Sequence, residues 1–289
     1  MAVARFKATA DGRLTSKMLA AYRSDGFLVL ENMVGAGQCR ALMAEADRLI
    51  DEFDAEAERT VFSAVSQAHA DDSYFRTSGD KIRFFLEAEA VDEHGRLRRP
   101  KAEAINKIGH ALHDLNPAFD RFSRQPALAQ LVADLGLVRP LLLQSMQIRK
   151  PPHIGGEVGL HQDSAFLYTE PISVVGLWVA LQDATQDNGC LWAIPGGQDG
   201  PLRSRFRYCG GGLATESLDP TPLAADLAEP LETSQGTLVV LHGLLPHRSG
   251  ANRSPDWRQA YALHVIDGAC HYAEDNWLRR GTDMPLRGF

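Results

Sequence analysis

Beyond Pro140 the sequence becomes a succession of short apolar segments, and this feature constrains the fold more than any other. The segments are rich in β-branched and aromatic residues, and turns containing Gly, Pro, Asn and Asp separate them. Such segments are typical of β-strands. Five of them are 141–148, 174–181, 190–194, 237–241 and 259–266. Several short strands between turn signals predict a mainly β fold, either a sandwich or a jelly roll.

The first third of the chain is helix-rich. Thr15 or Ser16 can cap a helix that Gly26 ends, and residues 27–31 then predict a short strand. A second amphipathic helix is indicated by apolar residues with a period near 3.6: Cys39, Leu42, Met43, Ala46, Leu49, Ile50 and Phe53. We expect both helices to pack against the outside of a sheet.

The middle of the chain mixes strand and helix signals. Residues 81–87 predict a strand, and the pattern around 105–115 predicts a helix. Another helix follows Pro126 and ends at Gly136. Residues 198–235 are rich in Gly and Pro and show little periodicity. This stretch is long for a structureless connection, which makes it a candidate lid.

We expect one domain over residues 1–289, with a helix-rich part at 1–135 and a jelly-roll core at about 140–270. A chain of this length buries roughly three quarters of its unfolded surface on folding. It therefore needs no disulfide or structural metal for stability. Any metal site is free to serve chemistry.

Composition limits the partners and the compartment. The net charge of -7 has the wrong sign for nucleic acid. Four scattered cysteines without a C-x-x-C pair are typical of reduced packing residues. The N-terminus has no apolar signal segment, the longest apolar run is residues 174–181, and a membrane span needs about 18 residues. We expect a cytoplasmic protein that acts on a small molecule, with its oligomeric state open.

Two His-x-Asp sequences occur in the chain, and composition alone predicts about one. His69 and Asp71 lie in a polar run typical of a solvated loop, whereas His161 and Asp163 follow a predicted strand and a turn-rich segment. In an extended chain, residues i and i+2 project to the same side, so both side chains can reach one metal ion. They would form two thirds of a 2-His-1-carboxylate triad.

The third ligand has three candidates in the last strand-rich segment, His242, His247 and His264. Arg253 lies eleven residues after His242, and Arg258 lies eleven residues after His247, so this spacing does not choose between them. Arg253 is in a polar turn, whereas Arg258 begins an alternating strand. An inward arginine among alanines is costly unless it meets an anion. We therefore choose His247 together with Arg258.

This set of residues has a chemical logic. Two imidazoles and one carboxylate on one face of iron(II) leave three coordination positions free. Two can take the 2-oxo and C1 carboxylate groups of 2-oxoglutarate, and the third can take O₂. The remote C5 carboxylate needs a cation that forms paired hydrogen bonds, as Arg258 can. The residues predict an iron(II) oxygenase with 2-oxoglutarate as co-substrate and ascorbate as a candidate reductant.

Several longer motifs carry a family resemblance. HQD, DNGCLWAIPGG, HRSGANRS and WRQAY resemble the phytanoyl-CoA dioxygenase family. SGDKIRFF, INKIGHALH, QSMQI, GGEV and AFLYTEP resemble, within that family, the domain-containing proteins more than the phytanoyl-CoA hydroxylases. The likeness covers nearly the whole chain, and together the motifs are highly specific. It implies a double-stranded β-helix, which is the cupin-like jelly roll, with flanking helices.

The resemblance also implies roles for individual residues. His161, Asp163 and His247 are expected to bind iron, and Arg258 and Ser249 are expected to hold the C5 carboxylate of 2-oxoglutarate. The family pattern therefore agrees with the triad and the arginine chosen above from the residues alone.

Three further residues match positions that line the co-substrate pocket in the family: Lys107, Met146 and Trp178. By residue type alone, Met146 and Trp178 are typical of a sheet core. Lys107 would bring a cation from a helical segment to the pocket mouth, or would be a solvated helix charge.

The resemblance does not identify the substrate. Acyl-CoA would need a docking surface for its phosphates, and beyond Arg149 and Lys150 the sequence has no basic cluster marked for that task. Three residues could face a substrate or belong to the core or surface: Tyr168, Arg83 and Phe85.

Two other functions use the same fold. A cupin-like hydrolase or isomerase could hold zinc at the same three ligands. It would give Arg258 no role, so full activity of an Arg258→Ala variant would favour it. A non-enzymatic small-molecule sensor could keep the pocket without turnover.

Overall fold

The computed structural model describes residues 3–55, 61–62 and 72–289. The second His-x-Asp sequence, His69 and Asp71, lies outside these residues. The helices of the described residues are α1 (Ser16–Asp25), α2 (Ala36–Glu52), α3 (Ser73–Arg76), α4 (Lys101–Ala104), α5 (Leu112–Leu115), α6 (Pro117–Ser123) and α7 (Pro126–Asp134).

Among the described residues the strands outnumber the helices, and the last strand ends at Tyr272. They are β1 (Arg5–Lys7), β2 (Phe27–Glu31), β3 (Val61–Phe62), β4 (Ile82–Glu87), β5 (Ile105–His110), β6 (Pro140–Lys150), β7 (Val158–His161), β8 (Thr169–Glu170), β9 (Val175–Ala180), β10 (Leu191–Ala193), β11 (Ser204–Cys209), β12 (Gly212–Ser217), β13 (Glu229–Leu231), β14 (Leu238–His242), β15 (His247–Ser249), β16 (Arg258–Asp267) and β17 (His271–Tyr272).

Two sheets form the body of the protein. The larger has the strand order β1-β2-β14-β9-β16-β6-β5-β4-β3, and the smaller has the order β13-β10-β15-β7. Within the larger sheet, β14, β9, β16 and β6 are antiparallel neighbours. Apolar residues of both sheets share one buried cluster, so the sheets pack face to face. This arrangement confirms the mainly β, jelly-roll prediction.

Side-chain alternation separates the two faces of the larger sheet. On β14, Leu238 and Val240 belong to the cluster that includes the helices, whereas Val239 and Leu241 belong to the cluster between the sheets. The same alternation continues on β9 and β16. Successive residues of a strand point to opposite faces, so each strand stabilises both layers.

The two N-terminal helices cover the outer face, as predicted. The Thr15 hydroxyl accepts a hydrogen bond from the Met18 backbone, and Gly26 ends α1 with a φ of 76°. Helix α2 buries one apolar face, which includes Leu42 and Ile50, in the outer cluster. The strand at 27–31 and the helix that starts at Pro126 are also confirmed.

The helix predicted around residues 105–115 is wrong. Residues Ile105–His110 form β5, which pairs with both β4 and β6, and the helix α5 spans four residues after it. Most side chains of β5 are buried, so its apolar residues do not alternate. A strand that is buried on both faces cannot be distinguished from a buried helix by its period.

Residues 198–235 are more ordered than their sequence suggests. Strands β11 and β12 form a hairpin over 204–217, and β13 joins the edge of the smaller sheet. The stretch is therefore not a structureless connection, and its role as a lid stays a prediction. Among the four cysteines, Cys39 and Cys190 are buried as expected, but Cys209 is exposed.

Within the described part of the chain, no helix is both long and apolar enough to cross a bilayer.

Candidate metal centre

A cavity of about 310 Å³ lies between the two sheets. Strand β7 ends at His161 and β15 begins at His247, and the antiparallel register pairs these two residues directly. Asp163 follows in the 3-10 turn Asp163–Ala165. Strand pairing thus brings the distant histidine beside the His-x-Asp sequence.

The ligand atoms of these three side chains converge. The Nε2 atoms of His161 and His247 lie 3.6 and 3.7 Å from Oδ1 of Asp163. One ligand atom from each residue lies within 4.8 Å of the others. Two metal–ligand bonds of about 2.1 Å can span the Nε2–Oδ1 gaps, so one metal ion fits among the three atoms.

Backbone hydrogen bonds fix both imidazoles. His161 donates from Nδ1 to the Gly159 carbonyl at 2.8 Å, and His247 donates from Nδ1 to the Leu245 carbonyl at 3.0 Å. A carbonyl can only accept, so Nδ1 carries the proton in both rings. In a neutral ring the Nε2 lone pair then faces the metal position.

Burial and mutual charge set the protonation of the triad. Burial lowers the pKa of His247 to about 4, although the charge of Asp163 opposes this shift. Burial also lowers the pKa of His161, but the hydrogen bond and charge of Asp163 outweigh it and raise the pKa. Burial raises the pKa of Asp163, yet the neighbouring His247 and His264 hold it well below its usual range. The carboxylate is therefore ionised, as a metal ligand must be.

His264, one of the three histidines considered before His247 was chosen, is not part of the converging group. Its Nε2 lies 3.3 Å from Oδ2 of Asp163. The other two imidazoles instead approach Oδ1. The side chain is buried and lines the cavity from β16. Sequence reasoning missed this contact, although the alternation of β16 places His264 on the same face as Arg258.

Arg258 is a buried cation in the cavity wall and is 1% exposed. Its Nε donates to the Gly189 carbonyl at 3.0 Å, and its guanidinium carbon lies 5.6 Å from the Trp178 ring centroid. Among the described residues no side chain pairs with Nη1, which is buried. Burial lowers the pKa of Arg258 to about 10, so it remains charged at neutral pH. A buried guanidinium with an unmatched donor fits an anion.

Two lysines also line the cavity near a buried carboxylate. Burial lowers the pKa of Lys107 to about 7, with Glu87 opposing the shift. Lys150 is buried and donates to the Gly156 carbonyl. Glu87 accepts hydrogen bonds from Asn106 Nδ2 at 3.0 Å and from the Gly156 amide at 3.1 Å. No motif in the sequence marks Glu87. The prediction that Lys107 lies on a helical segment is wrong, because it lies on β5.

The remaining predicted co-substrate residues lie in the same cavity. Ser249 is buried on β15, two residues after His247, and Trp178 is buried on β9. Met146 lines the cavity from β6 and packs against the cluster between the sheets. Trp178 and Met146 are therefore both core residues and lining residues.

Three residues that were candidates to face a substrate do not line the cavity. Phe85 is fully buried, and the guanidinium of Arg83 lies 4.2 Å from the Tyr74 ring centroid. Tyr168 donates a hydrogen bond to Glu170 and carries the guanidinium of Arg205 over its ring.

A jelly roll with two imidazoles and one carboxylate facing a cavity defines the class of non-haem iron dioxygenases that use 2-oxoglutarate. The phytanoyl-CoA dioxygenase (PhyH) family model matches residues 22–260, and the chain belongs to this family. It is accordingly a 2-oxoglutarate-dependent non-haem iron dioxygenase.

Similar proteins span nearly the full chain. It is 42% identical to a phytanoyl-CoA dioxygenase of Arabidopsis thaliana over 275 residues, covering 95% of this chain and 96% of that protein. It is 40% identical to phytanoyl-CoA dioxygenase domain-containing protein 1 of Bos taurus, covering 94% and 97%. The family and the domain-containing relatives expected from the sequence motifs are therefore confirmed.

Solved structures show the same fold. The α-ketoglutarate-dependent carbocyclase SnoK from nogalamycin biosynthesis aligns with a TM-score of 0.65 at 16% identity, covering 96% of this chain and 98% of that chain. EctD from S. alaskensis with 2-oxoglutarate and 5-hydroxyectoine aligns with a TM-score of 0.63 at 19% identity, covering 96% and 88%. At these identities the likeness concerns the fold alone.

Proposed function

We propose that His161, Asp163 and His247 bind iron(II) and that the protein hydroxylates a small-molecule substrate. The observation that carries this proposal is the approach of two imidazole Nε2 atoms to one oxygen of Asp163, at 3.6 and 3.7 Å. Backbone carbonyls occupy both Nδ1 atoms, so Nε2 is the coordinating atom of each ring. Two neutral nitrogens and one carboxylate suit iron(II) in a site with open positions.

We further propose that Arg258 and Ser249 hold the C5 carboxylate of 2-oxoglutarate. The unmatched, buried Nη1 of Arg258 supports this role, because a carboxylate would satisfy the donor and neutralise the charge. Lys107, Met146 and Trp178 complete the co-substrate side of the cavity. A zinc hydrolase with the same triad would leave this buried cation without a function.

Bound iron(II), with 2-oxoglutarate and O₂, would supply an oxidative decarboxylation in which one oxygen atom enters succinate, CO₂ is released and the other oxygen atom oxidises the substrate. The two imidazoles are fixed by backbone hydrogen bonds and would position the metal, while the buried cavity wall excludes water. In a sibling group with this fold that halogenates, a small residue replaces the metal-binding carboxylate and leaves room for halide. Asp163 keeps that position here, so we propose hydroxylation or a related oxidation and no halogenation.

The substrate is proposed only as a small molecule. The names of the relatives refer to phytanoyl-CoA, whose phosphates would need accessible cations. Arg149 and Lys150, the basic pair noted in the sequence, are 3% and 1% exposed. Arg149 also forms an ion pair with Asp47 at 2.7 Å. This pair therefore offers no surface to CoA phosphates. We also propose that the protein is located in the cytoplasm.

Calorimetry of 2-oxoglutarate binding, with zinc or manganese in place of iron, tests the anchor. Arg258→Ala should weaken binding by about 2–5 kcal/mol, because a buried carboxylate loses its charged partner. Arg253→Ala is the matched control, because Arg253 is exposed and holds the same spacing from His242. Equal affinities of both variants and the wild type would contradict the proposal and favour the zinc hydrolase.

A succinate assay separates an enzyme from a sensor. Iron(II), ascorbate and 2-oxoglutarate should produce succinate slowly without the substrate, since the co-substrate and O₂ positions do not require it. Protein that binds metal and 2-oxoglutarate yet forms no succinate across a broad metabolite and acyl-CoA screen would be a sensor.

A further inference from the structure

The cavity has two ends, and β16 runs along both. Its inner face carries Arg258, then Ala262, then His264. Arg258 and His264 are six residues apart, which corresponds to roughly 20 Å of extended strand. Because His264 contacts Asp163, the triad lies at the far end of this face from Arg258. The co-substrate of the proposed function would occupy the part between Arg258 and the triad.

The other end of the cavity has an aromatic wall, formed by Phe75, Phe166, Phe206 and Trp277. Phe166 begins it, with its ring centroid 5.9 Å from that of His161. Phe206 lies 5.7 Å beyond Phe166, and Phe75 stacks on Trp277 at 4.6 Å. The buried rings belong to a cluster that also includes Ile266, two residues past His264 on β16. The wall therefore begins beside the triad and continues away from Arg258.

Elements outside the two facing sheets supply all four of these rings, and Phe166 directly follows the turn that contains Asp163. Phe75 comes from α3, Phe206 from the β11–β12 hairpin, and Trp277 from the segment after β17. The proposed metal and co-substrate residues lie on strands of the sheets, except Asp163, which lies in the turn after β7. The jelly roll therefore positions the metal and the co-substrate. The helix, hairpin and C-terminal segment outside it form the end of the cavity that is left for the substrate.

Charged side chains of the cavity lining lie at the co-substrate end or at the triad. Lys150 is opposite Arg258 in the sheet register, and Lys107 is opposite Ile148. The guanidinium of Arg248 lies 4.9 Å from the ring centroid of Trp192. Among the described lining residues, His110 adjoins the aromatic wall, with its ring centroid 5.2 Å from that of Trp277, and no Asp, Glu, Lys or Arg belongs to the wall. A charged substrate group at this wall would lose its hydration without gaining a partner.

Trp277 adds one polar feature to the wall. The side chain is 3% exposed, and no described residue accepts a hydrogen bond from its buried Nε1. A buried indole N–H usually has an acceptor. A substrate oxygen that reached this atom would supply one.

We infer that the aromatic wall binds an uncharged, ring-containing substrate group that bears one hydrogen-bond acceptor oxygen. This inference rests on the proposed function, because it assigns the Arg258 end to 2-oxoglutarate. Flat rings of the substrate stack in offset or edge-on geometry on the four aromatic side chains. The Trp277 N–H donates to the acceptor oxygen and orients the ring relative to the metal.

Binding of matched probes to protein loaded with zinc and 2-oxoglutarate tests this inference by calorimetry. The probes are 1-tetralone, its hydrocarbon tetralin, the anion 1-naphthoate, and octanoyl-CoA. We expect 1-tetralone to bind about tenfold more tightly than tetralin, the size of one well-made hydrogen bond. 1-Tetralone should also bind more tightly than 1-naphthoate and octanoyl-CoA.

Variants of the wall identify the residues responsible. Trp277→Phe should abolish the preference of 1-tetralone over tetralin, whereas Trp257→Phe, which lies outside the cavity lining, should keep it. Phe206→Leu should weaken both ring probes by a similar factor, and it remains informative if Trp277→Phe does not fold.

Several outcomes overturn the inference: tighter binding of the anion or the thioester, no binding of any probe, or an unchanged ketone preference in Trp277→Phe. Binding of zinc and 2-oxoglutarate is measured first on the same samples. If zinc and 2-oxoglutarate do not bind, the proposed function is contradicted. If both bind but the probes do not follow the expected order of affinity, only this inference is contradicted.

Discussion

The Nε2 atom of His264 lies 3.3 Å from Oδ2 of Asp163, while the Nε2 atoms of His161 and His247 approach Oδ1. An imidazole thus lies close to each of the two carboxylate oxygens. A hydrogen bond from His264 to Oδ2 would keep Oδ1 turned toward the two imidazoles. Partners of this kind fix the orientation of a ligand group before the metal arrives.

His264→Leu should therefore weaken metal binding by about 10- to 100-fold, the range typical for partners of metal ligands. His264→Asn, which retains an N–H donor, should recover part of the loss. Cobalt(II) titration followed by its visible absorption measures this without turnover. His242→Leu is the control, because His242 lies outside the cavity lining. Equal affinities of the Leu and Asn variants would argue against a hydrogen bond.

Gly176 leaves space for the same carboxylate. A Cβ at this position would lie 3.0 Å from Oδ2 of Asp163 and 3.4 Å from Cβ of Leu241. Gly176→Ala should push the carboxylate aside and reduce cobalt(II) affinity several-fold, because small misplacements matter in such sites. Gly159→Ala is the matched control, because nothing lies within 4 Å of a Cβ there. An unaffected Gly176→Ala variant would mean that the carboxylate position tolerates movement.

Lys107 should make the metal-free protein more stable as pH rises above 7. Burial lowers its pKa from 10.5 to about 7, so between these values the unfolded chain binds more protons than the folded one. The free energy of unfolding then increases with pH, by at most about 1.4 kcal/mol per unit from this group.

Lys107→Met should reduce that increase, as measured by urea unfolding at pH 7 and pH 9. The exposed Lys17→Met variant should keep the slope of the wild type. Identical slopes in all three proteins would show that Lys107 does not titrate in this range.

Much of the fold and most of the candidate site could be predicted from the sequence. The strand succession after Pro140 and the capped helix after Thr15 are local patterns, and they appear as expected. The choice of His247 over His242 came from the strand context of Arg258. In the structure His247 is opposite His161, whereas His242 is not in the cavity lining.

The features that could not be predicted from the sequence have a common physical origin. The sequence predicts a helix where β5 lies, because neighbours on both sides bury this strand and remove the alternation. Glu87 and His264 depend on contacts between elements that are distant in sequence. The roles of Phe206 and Trp277 were not visible for the same reason, since neither residue belongs to a recognisable motif. Such contacts follow from packing and not from local pattern.

Asp163→Ala should sharply lower succinate formation in the presence of iron(II), ascorbate and 2-oxoglutarate. The change removes one of the three proposed ligands and the negative charge that partly balances the charge of the metal ion. Asp199→Ala, an acidic residue outside the cavity lining, is the control. If Asp163→Ala turned over as fast as the wild type, the choice of carboxylate would be wrong even though the reaction class would survive.

The central claim is that His161, Asp163 and His247 bind the metal while Arg258 holds the co-substrate. Anomalous diffraction from a crystal grown with manganese(II) and 2-oxoglutarate under anaerobic conditions tests it most directly. We predict one anomalous peak within bonding distance of Nε2 of both histidines and a carboxylate oxygen of Asp163, with the C5 carboxylate against Arg258. A peak at His242, at His264 without Asp163, or at His69 and Asp71 would contradict the account.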